Sequence, residues 1–217
     1  MANLIVKGGK ALNGEITPAG NKNSALPILC ATLLTDEDIV INNFPELTDV
    51  TKLIELMQEL GSYVEWDKEK QVVKINNSKF CKSFGDAGLP LGMRGALLIL
   101  APLLVRHGEL KIKQEIGGCA LGIREIDPHL EVFKALGAEV RVGETIEINA
   151  KSSLVGSTLW QDYMSVTTTE NFIMAAARAK GKSVMINAAS EPHVQDLCNF
   201  LNPVSYTHLT LPTIYSV

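Results

Sequence analysis

Residues 127–149 read DPHLEVFKALGAEVRVGETIEIN, and residues 51–76 read TKLIELMQELGSYVEWDKEKQVVKIN. Both stretches begin with apolar residues at helical spacing and close the helix on Leu-Gly. Both then alternate polar and apolar positions around a turn, the pattern of a β-hairpin. The two helix ends, Leu60-Gly61 and Leu136-Gly137, stand 76 positions apart. One unit written twice accounts for both.

The flanks match as well. Ahead of the first helix, Asn23–Leu34 predicts an Ala-rich apolar helix and Ile39–Ile41 a short strand, then a turn at Pro45 and an expected cap at Asp49. Ahead of the second, Met93–Gly108 predicts the apolar helix and Glu109–Lys113 the strand. A third copy runs through Thr169–Gly181, Ser183–Asn187 and Glu191–Leu201. Three such units, about 17–78, 86–150 and 154–201, predict an α/β domain with pseudo-threefold symmetry.

Two departures from the repeat stand out. From strand to helix end the second copy takes 24 positions, against 19 in the first and 15 in the third. The extra length is the glycine-rich segment Gly117-Gly118-Cys119-Ala120-Leu121-Gly122, and surplus loop on a scaffold that does not need it points to function. The second departure is the end of the chain. Where the repeat requires Leu-Gly and a hairpin, the sequence turns to Pro203, Pro212 and many Ser and Thr, so residues 202–217 are expected to be a non-native tail. A divergent strand pair is the other reading of that stretch.

Composition bounds the class. Across 217 residues the chain is 46% hydrophobic and 20% charged, which excludes a disordered protein. A net charge of −4 lacks the basic face a nucleic-acid binder needs. The longest apolar run, Gly95–Val105, is too short to span a bilayer, and the first ten residues lack the pattern of a signal peptide. A cytoplasmic protein with reduced thiols is the expectation. Of the four cysteines, Cys30, Cys81 and Cys198 read as structural.

Cys119 reads differently. Glycines on both sides expose it, and Arg124 five positions on can stabilise a thiolate or hold an anion beside it. Such a thiol serves as acid or nucleophile, or else it is a spectator in a surface turn. Gly20-Asn21-Lys22-Asn23, before the first apolar helix, suits a phosphate or carboxylate at a helix N-terminus, and equally suits an ordinary cap. Arg94 opens the corresponding helix of the second unit and Ser165–Asn171 that of the third, so by symmetry three helix starts converge on one polyanion. Asp127-Pro128-His129 and Glu191-Pro192-His193 are helix-start chemistry, and the two histidines have no further partners at metal-ligand spacing.

In order along the chain, AGNKNSALPIL, LGMRGALLILAPLLVRHG, GGCALGIREIDPH, SVTTTEN and AASEPHVQD resemble the motifs of the UDP-N-acetylglucosamine 1-carboxyvinyltransferases, an enolpyruvyl transferase family of peptidoglycan synthesis. The resemblance covers about residue 3 to Leu201 and about half of such an enzyme. It implies a domain of the inside-out α/β barrel type, built from repeated βαβαββ-like units over residues 17–201, with residues 1–16 a strand segment belonging to a second domain. It also implies transfer of the enolpyruvyl group of phosphoenolpyruvate to the 3-hydroxyl of UDP-N-acetylglucosamine, with no metal or organic cofactor.

Residue by residue, the resemblance implies that Lys22 and Asn23 contact phosphoenolpyruvate and that Arg94 lines the cleft. Cys119 is then the proton donor and the fosfomycin target. Arg124 and Asp127 bind the nucleotide sugar and the phosphate, Ser165 and Val166 the uridine diphosphate, and Glu191 faces the cleft. Glu125, Pro128, Tyr163 and Thr167 depart from the family pattern, where proline, leucine, lysine and glycine are usual. The shikimate-pathway transferase lacks a loop like GGCALG. A non-catalytic fragment is the alternative of another class, and the 217 residues alone are expected not to turn over.

Overall fold

Asn21 starts the ordered core, because its side-chain oxygen accepts hydrogen bonds from the backbone N–H groups of Asn23 and Ser24, at 2.7 and 3.3 Å. The helix it caps, α1 (Lys22–Thr32), is buried over most of its length. The computed structural model describes residues 4–80, 94–113, 126–150 and 153–202, with backbone only at 94–96 and 113. Residues 4–21 carry no regular structure, and Leu4, Ile5, Val6, Leu12 and Ile16 are all exposed.

After α1 come β1 (Ile39–Ile41), α2 (Thr48–Glu59), β2 (Tyr63–Asp67) and β3 (Val72–Asn76). The strands form one antiparallel sheet in the order β1-β3-β2. Alternation sets its face: Val73 and Ile75 are buried while Lys74 is exposed. Asp49 is not the cap of α2. The helix begins one residue earlier, behind Leu47, which makes no side-chain capping bond, and Asp49 lies in the first turn.

The second unit repeats the plan. A 3-10 segment (Arg94–Ile99) runs into α3 (Leu100–His107), followed by β4 (Glu109–Lys113), α4 (Asp127–Ala135), β5 (Glu139–Val142) and β6 (Thr145–Asn149). Its sheet is again antiparallel, ordered β4-β6-β5, with Ile146 and Ile148 buried. In the third unit α5 (Val166–Ala176) precedes β8 (Val184–Ile186) and α6 (Pro192–Leu201). The short β7 (Thr158–Trp160), which periodicity does not reveal, pairs in parallel with β8.

The apolar helices α1, 3-10/α3 and α5 form the centre of the core, and the sheets and the amphipathic helices α2, α4 and α6 surround them. Their C-terminal ends meet. Leu33 and Leu34 after α1, Arg106 and His107 of α3, and Arg178 after α5 line one depression of about 570 Å³. The three central helices thus finish at one end of the core. Among the described residues no helix is long and apolar enough to cross a membrane.

Candidate active site

Just ahead of α1, Gly20 delivers the chain to the helix through a tight passage. A Cβ there would lie 2.3 Å from the Asn43 carbonyl oxygen and 3.0 Å from the Pro45 ring, so only glycine fits. Lys22 then meets α2, its Nζ 2.9 Å from Asp49 Oδ2, with both side chains half-exposed. Ser24 Oγ donates to Asp196 Oδ2 of α6 at 2.6 Å. Asn23 stands exposed between these two contacts.

The start of α5 is built by its own side chains. Ser165 Oγ accepts from Thr168 N–H at 3.4 Å and lies 2.9 Å from Thr168 Oγ1. Thr169 Oγ1 donates to the Ser165 carbonyl at 2.8 Å and accepts from Ala189 N–H at 3.0 Å, tying α5 to the loop before α6. Val166 is the first residue of the helix. Beside it Asp127, which opens α4, and Thr168 line a cavity of about 190 Å³, together with Glu131, Trp160, Asp162 and Tyr163. Asp127 thus shares this cavity with Thr168, the residue that Ser165 contacts.

Glu191 occupies the cap position of α6, its carbonyl accepting from Val194 and Gln195. Its carboxylate acts on a residue that sequence reasoning did not single out. Glu170 of α5 is 1% exposed, and its Oε1 has no hydrogen-bond partner among the described residues. Burial first, and then the Glu191 charge, push its carboxyl up to about 8. A polar Glu170-Asn171 pair inside an otherwise apolar helix was the available signal. Cys30 of α1 is fully buried, and burial, with a lesser effect of Glu170, holds its thiol far above the usual range. Burial pushes Cys198 up to about 11. Both are packing thiols.

Cys119, Arg124 and Cys81 lie outside the described residues, as does the side chain of Arg94. The backbone of Arg94 opens the 3-10 segment. Among the described residues no three His, Cys, Asp or Glu side chains gather as metal ligands.

Comparison with known proteins follows this geometry. The family model described as EPSP synthase (3-phosphoshikimate 1-carboxyvinyltransferase) matches residues 6–207. The chain belongs to that family. As an EPSP synthase family member it is 43% identical over 202 residues to the UDP-N-acetylglucosamine 1-carboxyvinyltransferase of Endomicrobium trichonymphae, covering 93% of this chain and 48% of that protein. It is 45% identical over 201 residues to the enzyme of the same name from Finegoldia magna, covering 92% and 47%. The chain spans about half the length of the curated relatives it matches.

Among solved structures, the enolpyruvyl transferase NikO from Streptomyces tendae superposes with a TM-score of 0.72 at 19% identity, over 89% of this chain and 45% of that one. EPSP synthase from Acinetobacter baumannii does so at 0.66 and 18%, over 87% and 43%. The fold is the α/β fold of the enolpyruvyl transferases, built here from the repeated units described above.

Proposed function

We propose that this chain supplies the phosphoenolpyruvate- and nucleotide-sugar-binding face of a UDP-N-acetylglucosamine 1-carboxyvinyltransferase. The observation that carries this reading is the 42–45% identity to relatives of that name over more than nine-tenths of the chain, against 18–19% to EPSP synthase and NikO. The reaction adds the 3-hydroxyl oxygen of the sugar to C2 of phosphoenolpyruvate while C3 receives a proton. Loss of a proton from C3 then re-forms the double bond and expels phosphate. Cys119 is the proposed proton donor, and its alkylation by fosfomycin belongs to the same proposal.

The cationic residues Lys22, Arg94 and Arg124, with Asn23, hold the phosphate and carboxylate while positive charge develops at C2. The N-termini of α1 and α5, capped by Asn21 and Ser165, favour negative charge as well. The cavity beside α5 is different in kind. Asp127, Glu131 and Asp162 make its rim acidic, which repels a diphosphate and accepts hydrogen bonds from ribose hydroxyls or an imide N–H. The neutral part of the nucleotide belongs there, with the diphosphate displaced toward Ser165 and Val166. Glu191 faces the sugar side of the cleft.

Titration calorimetry of the full 217-residue chain tests the reading. Binding of UDP-N-acetylglucosamine, with none of shikimate 3-phosphate, is expected. Preference for shikimate 3-phosphate, or indifference to both, overturns it. Phosphate release from phosphoenolpyruvate plus the nucleotide sugar then reports whether these residues suffice for turnover.

A further inference from the structure

The helix expected over the second apolar segment is divided, and the division has two causes that meet at one point. Pro102, the third residue of α3, has no N–H, so the ladder lacks the bond back to the Leu98 carbonyl. One residue earlier, the bond that Ala101 N–H would make to the Leu97 carbonyl is replaced by a side chain from another helix. Asn171 of α5 accepts from Ala101 N–H at 3.1 Å through Oδ1 and donates to the Leu97 carbonyl at 2.9 Å through Nδ2. A carboxamide has taken the place of a peptide group. The ladder ahead of it is 3-10, and the ladder behind it is α.

The second Nδ2 hydrogen points at His129 Nδ1, 2.9 Å away. The orientation of the amide is forced, since turning it over would set NH₂ against the Ala101 N–H and oxygen against the Leu97 carbonyl. His129 Nδ1 is therefore an acceptor and the ring proton is on Nε2, which lies 3.5 Å from Thr167 Oγ1 in the first turn of α5. Asn171 and His129 are both buried. His129 stands two residues after Asp127, Thr167 next to Val166, and Leu97 three residues after Arg94.

We infer that Asn171 is a positioning residue for the ligand-binding face: its carboxamide splints the proline break in the second central helix and locks the openings of the 3-10 segment, α4 and α5 to one point. The functional consequence rests on the reading proposed above; the geometric one does not. With the splint gone, Leu97 and Ala101 are left with unpaired backbone groups in the core, and the segment carrying Arg94 pivots about Pro102.

The experiment uses the full chain with Asn171→Ala and Asn171→Asp, and with Ile148→Ala in β6 as a control for core damage. Nitrogen NMR of His129 is expected to place the proton on Nε2 in the parent and on Nδ1 in Asn171→Asp, because aspartate accepts and does not donate. Slow exchange of the Ala101 amide in the parent should be lost in Asn171→Ala and kept in Ile148→Ala. An unmoved proton or an unprotected parent Ala101 overturns the inference. If the parent binds UDP-N-acetylglucosamine, Asn171→Ala should weaken binding at least about tenfold, while Ile148→Ala leaves it unchanged. Equal affinity in both variants also overturns the inference. A parent that binds no nucleotide sugar refutes the proposed function alone, and the two NMR readouts still decide the role of Asn171.

Discussion

Glu170 shows how one side chain can set a pH dependence. Its carboxyl in the folded chain sits at about 8, above its ordinary 4.5, so folding favours the protonated form. That stabilisation is whole below pH 4.5 and is gone once pH has risen through about 8. Glu170→Gln keeps the neutral shape and removes the titration. The variant should match the parent near pH 5 and melt about 5–10 °C higher at pH 9, read by thermal unfolding monitored by circular dichroism. Equal melting profiles at both pH values would remove Glu170 from the buried carboxylates. Gly20 is the steric counterpart. Gly20→Ala drives a methyl group into the Asn43 carbonyl and should cost about 1–3 kcal/mol, seen as a lower urea midpoint with unchanged slope.

At the scale of elements, most helices and hairpins were legible because burial on one face writes a period into the sequence. The alternation in QVVKI and TIEI is the register of β3 and β6 with a buried inner face. What was not legible depends on partners distant in the chain. Asp49 has the composition of a cap, yet its carboxylate is committed to Lys22, 27 residues away, and Leu47 holds the cap position ahead of Thr48 instead. The break between the 3-10 segment and α3 involves Asn171, 70 residues from Ala101, and Pro102 alone reads only as an interruption. β7 has three residues, too few for any period to show. His129, which reads as helix-start chemistry, is a buried residue whose Nδ1 accepts from Asn171 of another helix. Where a side chain does cap a helix, substitution has a defined effect. Ser165→Ala removes the acceptor for Thr168 N–H and should cost about 0.5–2 kcal/mol in chemical denaturation.

Across the whole molecule, Arg106 serves the end of the core where the central helices finish. Its guanidinium donates to the Leu33 carbonyl at 2.9 Å and the Asn77 carbonyl at 2.7 Å, and it pairs with Asp36. One cation thereby closes the C-terminal end of α1, joins the first unit to the second and offsets the partial negative charge of the helix ends gathered there. Arg106→Met keeps much of the stem but leaves two carbonyls without their donor, and should cost about 2–4 kcal/mol in calorimetry, well beyond an exposed ion pair. The repeat was legible from the Leu-Gly spacing of the first two units and from the apolar segment, short strand and helix of the third. The acidic cavity beside α5 was not, because Asp127, Asp162 and Trp160 are adjacent only once α4 and β7 are in place.

The sheet of the third unit differs from the other two in being a parallel pair, with Trp160 and Ile186 turned outward at its end. Among the described residues neither β7 nor β8 has a second neighbour, so each offers a row of peptide groups that another strand can zip onto. At high concentration that rim is a template for chain-to-chain association, and light scattering should rise with protein concentration. A lysine in place of Ile186 should suppress the rise by setting like charges against each other wherever two rims meet.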